Sequence, residues 1–276
     1  MKGDWRFLNT GSYSAAMNMA VDTTLLRGVQ KGGVPTVRFY TWNAPAISFG
    51  YAQDPYKEVD VERCIGAGFD LVRRPTGGRA VLHWEELTYS VVAPLNDSIS
   101  WGKRIDEAYR VIGNCLVKGL RNFGIEAELE KNQVDSEKVP RSNVSSPCFS
   151  SIARSEVKLN GRKLVGSAQR RFTGAMLQHG SIILGNKHEC LIDYLLLEEH
   201  ECVRWKKELK NKCISLSDCM KNEISLDYLI DCLFLGFSKE FNCQLRVENV
   251  SDDEWNRASE DISKWCISSS LDGVER

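Results

Sequence analysis

With 276 residues, a formal net charge of −1, 42% hydrophobic and 26% charged residues, the chain has a globular composition and ample apolar material for a core. The near-neutral charge excludes a protein whose main partner is nucleic acid, because neutralising a phosphate backbone takes a basic excess. The start, Met1-Lys2-Gly3-Asp4-Trp5-Arg6, carries charges where a secretory leader needs apolar residues, and no segment approaches the roughly 20 apolar residues that span a bilayer. A cytoplasmic protein without a membrane partner is expected, its ten cysteines reduced.

Ser14 is positioned to cap a helix carrying Met17, Ala20, Val21 and Leu25 on one face, with Gly32-Gly33 as its stop. Short β-branched and aromatic runs follow at 36–40, 46–51, 69–73, 79–83 and 88–93, divided by Pro and Gly signals, and read as strands. Ile105, Tyr109, Ile112, Leu116, Leu120 and Phe123 repeat at three- and four-residue intervals, which predicts a helix closed by Gly124. Residues 130–147 are polar and read as a long loop ending at Cys148. Asn160-Gly161 between two apolar runs predicts a hairpin, and 175–184 another strand. Farther on, Leu226, Leu229, Ile230, Leu233 and Phe237 share a helical face, and Ser251 with Glu254 forms a capping box. No composition break marks a domain boundary, so residues 1–276 read as one domain.

Two segments carry chemistry. In Arg73-Arg74-Pro75-Thr76-Gly77-Gly78-Arg79-Ala80-Val81-Leu82-His83, paired glycines let the backbone approach a ligand while three arginines supply fixed positive charge, as suits an acyl or phosphate-bearing substrate. The competing reading is a Gly-Gly turn beside solvated arginines. A P-loop is excluded, since Gly-x-x-x-x-Gly-Lys-Ser/Thr does not occur. In Gly161-Arg162-Lys163-Leu164-Val165-Gly166-Ser167-Ala168-Gln169, a lysine past the hairpin turn meets small residues that leave room for a substrate. That lysine holds either a carbonyl oxygen or carboxylate, or serves as a solvated edge-strand charge.

Together these stretches resemble the lipoate and biotin protein ligase superfamily. Asn18-Met19-Ala20-Val21-Asp22 looks like its N-terminal helix motif, and the two segments above look like its Arg-Arg-x-Thr-Gly-Gly and Gly-x-Lys-x-x-Gly-Ser-Ala-Gln signatures. With Gln178-His179-Gly180-Ser181 the resemblance spans about 5–185, leaving a helical C-terminal extension of about 186–276. It implies an α+β catalytic domain with a central, mostly antiparallel sheet flanked by helices. The Asn-Asp pair typical of ATP-dependent ligases is replaced by Arg154-Ser155-Glu156, whereas Cys148-Phe149 resembles the nucleophile of octanoyltransferases of the LipM type. The residues after it, Ser150-Ser151-Ile152-Ala153, depart from the Asp-Ala-Pro-Ser frequent in that group.

The implied reaction moves octanoate from octanoyl-acyl carrier protein to a lysine of a lipoyl-domain protein, such as the glycine cleavage H protein, through an acyl-cysteine. Cys148 is then the nucleophile, and Lys163 lowers its pKa and positions the acyl carbonyl. Backbone amides near Gly77, Gly78, Gly166, Ser167 and Ala168 stabilise the oxyanion, with Arg73, Arg74, Thr76, Arg79 and His83 completing the substrate site. Val72, Val81 and Val165 are expected walls. No cofactor and no metal is expected. His188-Glu189-Cys190 and His200-Glu201-Cys202 invite zinc but lack Cys-x-x-Cys spacing, and Cys64 and Cys115 read as structural. Three alternatives stand: an ATP- and magnesium-dependent lipoate ligase, an octanoyl amidotransferase between lipoyl domains, and a non-catalytic binding module.

Overall fold

The computed structural model describes residues 4–96, 101–102, 104–130, 156–220 and 222–268. In chain order it contains β1 (Trp5–Tyr13), α1 (Ala15–Gln30), β2 (Thr36–Trp42), β3 (Ala46–Phe49), α2 (Pro55–Glu58), α3 (Val61–Gly66), β4 (Asp70–Arg73), β5 (Val81–His83) and β6 (Glu86–Pro94). Then come α4 (Ile105–Asn122), β7 (Glu128–Leu129), β8 (Val157–Leu159), β9 (Arg162–Arg171), β10 (Ala175–Ile183) and a 3-10 helix (Asn186–Tyr194). The C-terminal part holds α5 (Glu199–Lys212), α6 (Leu226–Phe241), β11 (Leu245–Val247), α7 (Asp252–Asp261) and a 3-10 turn (Ile262–Lys264).

Local chemistry fixes the elements that the sequence announces. Ser14 Oγ accepts from the Met17 amide at the start of α1, and Asp70 accepts from that of Ala15. Asn160 and Gly161 both take positive φ, 51° and 74°, so a tight turn joins β8 to β9. Gly124, at φ 94°, ends α4. Leu226 lies exposed at the start of α6, while Leu229, Ile230, Leu233 and Phe237 are buried as their spacing predicts.

The strands form two sheets. The larger runs β11-β1-β2-β6-β10-β9-β8-β7, parallel from β11 to β2 and antiparallel from β2 onward; the smaller runs β4-β3-β5. The expected mostly antiparallel sheet flanked by helices is therefore present. The C-terminal region is helical except that β11 returns to pair with β1.

Alternation along β2 and β6 gives the large sheet two unlike faces. Val37, Phe39, Leu87, Tyr89 and Val91 point into the main core with α4 and α6. Arg38, Thr88 and Ser90 point the other way, toward α1 and the small sheet, and are buried although polar. Every such group needs a partner.

Helices α4 and α6 approach through glycines: a Cβ on Gly119 would lie 2.7 Å from the Leu233 Cα, and one on Gly236 2.5 Å from the Cys115 carbonyl oxygen. Gly236→Leu is expected to lower stability by about 1–3 kcal/mol through overpacking. Gly28→Ala in α1, where a Cβ meets nothing within 4 Å, is expected to raise it by about 0.5–1 kcal/mol. Urea-unfolding midpoints measure both.

Candidate active site

A cavity of about 370 Å³ opens between the polar face of the large sheet, the small sheet, α1 and α4. Its volume lies at the lower end of the roughly 300–1,000 Å³ range of small-molecule sites. Of the residues the sequence singles out, Arg74, Gly77, Gly78, Arg79, His83, Lys163, Gly166, Ser167 and Ala168 line it. Arg73 and Thr76 sit behind the lining, and Cys148 lies outside the described residues.

The loop after β4 is held by its own arginines. Arg74 is buried and donates to the carbonyls of Ser48, Gly77 and Arg79 and to Ser48 Oγ, closing residues 74–79 on themselves. Arg73 donates to the carbonyls of Gln53 at 2.6 Å and Tyr51 at 3.2 Å. These forks satisfy loop carbonyls that no ladder serves. Gly78 adopts φ 100°, and a Cβ on Gly50 would overlap the Gly78 carbonyl oxygen, so backbone meets backbone there without side chains between.

Two acid–histidine–hydroxyl relays cross from the large sheet to the opposite wall. In the first, His179 Nδ1–H donates to Asp22 at 3.3 Å and Nε2 accepts from the Thr76 hydroxyl at 2.6 Å. Asp22, fully buried, also accepts from Arg38 at 2.7 Å, Ser90 at 2.9 Å and Tyr40 at 3.2 Å. In the second, His83 donates from Nδ1 to Glu86 at 2.7 Å and its Nε2 meets Ser48 Oγ at 2.7 Å. Thr88, Ser181 and the Trp42 indole donate to the same carboxylate, and Trp42 stacks on His83 at 4.1 Å.

Burial pushes the Asp22 and Glu86 carboxyls up. Opposing charge and hydrogen bonds, from Arg38 and His179 on one and from His83, Ser181 and Thr88 on the other, outweigh it and hold both below the usual carboxylate range. Burial lowers the His179 pKa, and Asp22 recovers only part of the shift. The first relay is thus a neutral imidazole between an ionised carboxylate and a hydroxyl.

Lys163 reaches the cavity through an irregularity. Val157 pairs with Val165 but Lys158 pairs with Lys163, so Leu164 is an extra residue in β9. Such a bulge breaks the two-residue alternation that would put Lys163 on the face of Val165, which packs in the main core. The ammonium is buried and bonds Glu156 Oε1 at 2.5 Å. Beyond Val165, β8 no longer opposes β9 among the described residues, and four consecutive residues, 166–169, line the cavity. Residues of both alternations line it because a strand edge, rather than one strand face, borders the space. A Cβ on Gly180 would overlap the Gly166 carbonyl oxygen, so β10 keeps a glycine there.

Of the expected walls, Val81 lines the cavity, whereas Val72 and Val165 pack into the core clusters behind it. Met19, Tyr40 and Trp42 supply the apolar wall instead. Sequence reasoning passed over these, together with Glu156, Asp22 and Glu86; the motif Asn18–Asp22 was a signal without an assigned role. Cys64 and Cys115 are buried and burial raises both thiols, Cys64 to about 11. Among the described residues no three His, Cys, Asp or Glu side chains are grouped to hold a metal, and no helix is long and apolar enough to cross a membrane.

The sequence profile of the lipoyl protein ligase A/B catalytic domain matches residues 14–238, well past the motifs that end near 185. The chain belongs to that family. It is 39% identical over 254 residues to octanoyltransferase LipM of Anoxybacillus flavithermus, covering 91% of each chain, and 36% identical to octanoyltransferase LipM of Staphylococcus aureus, covering 96% and 97%. The fold is that of a bi-partite lipoate protein ligase from Thermoplasma acidophilum, with a TM-score of 0.76, 24% identity, and 95% and 93% of the two chains covered.

The lowered His179 pKa has a consequence for stability. Below about pH 6.5 the unfolded chain takes up a proton that folded His179 resists, so its contribution is complete above that pH and is lost as pH falls through the window beneath it. Urea midpoints measured from pH 7.5 to 5 are expected to decline for the wild type. His179→Gln is expected to flatten part of that decline; His188, whose pKa burial also lowers, retains the rest.

Proposed function

We propose that this protein is an acyltransferase of the cytoplasm that moves octanoate from octanoyl-acyl carrier protein to a lysine of a lipoyl-domain protein, such as the glycine cleavage H protein. The observation that carries the reading is a largely apolar cavity with one buried ammonium, Lys163, in its wall. Relatives named octanoyltransferase at 36–39% identity over nine-tenths of their length support the same acyl group. Each buried methylene of such a chain contributes about 0.8 kcal/mol, enough for the cavity to select length.

In this mechanism the Cys148 thiolate attacks the carbonyl carbon of the donor thioester, and the carrier leaves as a thiolate that takes up a proton. The acceptor lysine, as a free amine, then attacks the acyl-cysteine. It loses a proton as the amide forms and the Cys148 thiolate departs. Exchange of one thioester for another is nearly isoenergetic and aminolysis runs downhill, so no nucleotide is needed.

Lys163 holds the carbonyl oxygen as charge develops on it and assists deprotonation of the incoming amine; Glu156 fixes its position through their hydrogen bond. Amides of Gly77, Gly78 and Gly166 to Ala168 complete the oxyanion site. Thr76 acts from behind by fixing the loop, His83 in the cavity wall holds Ser48, which Arg74 of the loop also bonds, and Arg79 at the cavity wall meets the donor's phosphopantetheine.

The test is transfer of octanoate to a lipoyl-domain protein without nucleotide. Wild type is expected to transfer, Cys148→Ala to fail, and Lys163→Ala to lose about 10²–10³ in rate, as for removal of an oxyanion donor. Transfer that needs ATP and survives in Cys148→Ala contradicts the reading and favours a ligase. Transfer that uses only an already octanoylated H protein as donor favours an amidotransferase. Complex formation without acyl transfer favours a binding module.

A further inference from the structure

The family match ends at residue 238, yet the chain beyond it returns to both sheets. β11 extends the large sheet beside β1. Farther on, residues 265–267 run along the small sheet: the Arg73 amide donates to the Trp265 carbonyl at 3.0 Å, the Ile267 amide donates to the Leu71 carbonyl at 2.9 Å, and Val72 pairs antiparallel with Cys266. The Tyr56 hydroxyl donates to the Ser268 carbonyl at 2.7 Å. Asp261 pairs with Arg27 of α1 and with Lys264, which fixes the turn that launches the segment. Its side chains reach the site from behind. Ile262 and Trp265 pack on the cluster of Ala15, Ala16, Met19, Tyr40, Ala46 and Val72, and Met19 and Tyr40 are cavity wall.

This placement matters because of what β4 carries. β4 is four residues long, has β3 on one side only, and ends at Arg73, where the loop to Arg79 begins. A short strand paired on one side holds its end weakly. We propose that residues 262–268 are a positioning element of the acyl site, a fourth strand of the small sheet that fixes the Arg73–Arg79 loop and the Met19–Tyr40 wall. The inference rests on the acyl reading above and extends it to a part of the chain that the family match leaves out.

The Ile267 amide separates this role from general packing. Ile267→Pro removes the donor to Leu71, whereas Ile267→Val keeps it. Free octanoate is titrated calorimetrically into the full chain and both variants, and amide exchange is followed in each. Wild type and Ile267→Val are expected to bind alike. Ile267→Pro is expected to bind about three- to tenfold more weakly, the effect of one hydrogen bond, with faster exchange at residues 71–79 and unchanged exchange in β6 and β10. Ile267→Pro that binds as wild type with slow loop exchange overturns the inference, as does faster exchange spread through β6 and β10. A wild type that binds no octanoate contradicts the acyl reading instead, and loop exchange alone then decides the role of the tail.

Discussion

A positive charge sealed into a mostly apolar space is the constraint around which this fold is arranged. Lys163 is buried there and bonds Glu156, because a buried charged group without a partner destabilises the fold. Glu156 directly precedes β8 and Lys163 lies on β9, the two strands of one hairpin, and the extra residue Leu164 turns the lysine away from the face of Val165. A turn dipeptide, a bulge and an ion pair therefore act as one unit. Removing any of them leaves a buried charge misplaced.

The large sheet obeys the same constraint. Its inner face is polar where a sheet buried on both sides is ordinarily apolar, and each polar group there is matched by another. Asp22 and Glu86 stay ionised because Arg38, two histidines and a set of hydroxyls surround them. The histidines then carry those anchors across the cavity to Thr76 and Ser48. The glycine loop is thus tied to the rigid sheet by hydrogen bonds rather than by packing, which leaves the cavity wall free to be apolar. Such preorganisation is what a site needs if its amides are to meet an oxyanion without reorganising.

How much of this was readable in the chain depends on the range of the signal. The Asn160-Gly161 turn, the Ser14 cap and the α4 stripe are local, and each appeared where its residues required. β1 gave no strict alternation because its pairing with β2 shifts between Asn9 and Ser12. α5 buries only Leu209 and so has no apolar face to betray it, and β11 is three residues long. At the site, the glycine and lysine motifs named most of the cavity lining. Their partners did not follow, since His179 of β10 meets Asp22 of α1 across 157 residues and only the packing of α1 on the large sheet brings them together. Arg73 and Arg74 show the converse: charge legible in sequence is spent on loop carbonyls in the fold.

The proposed function requires a medium-length acyl group to rest on one sulfur atom between donor and acceptor. Acid-quenching the enzyme during a single turnover with octanoyl-acyl carrier protein, followed by peptide-level mass spectrometry, tests it most directly. One octanoyl group, removed by neutral hydroxylamine, is expected on the peptide that carries Cys148. An octanoyl group on a different cysteine, or transfer completed while no acyl-cysteine forms, would contradict it.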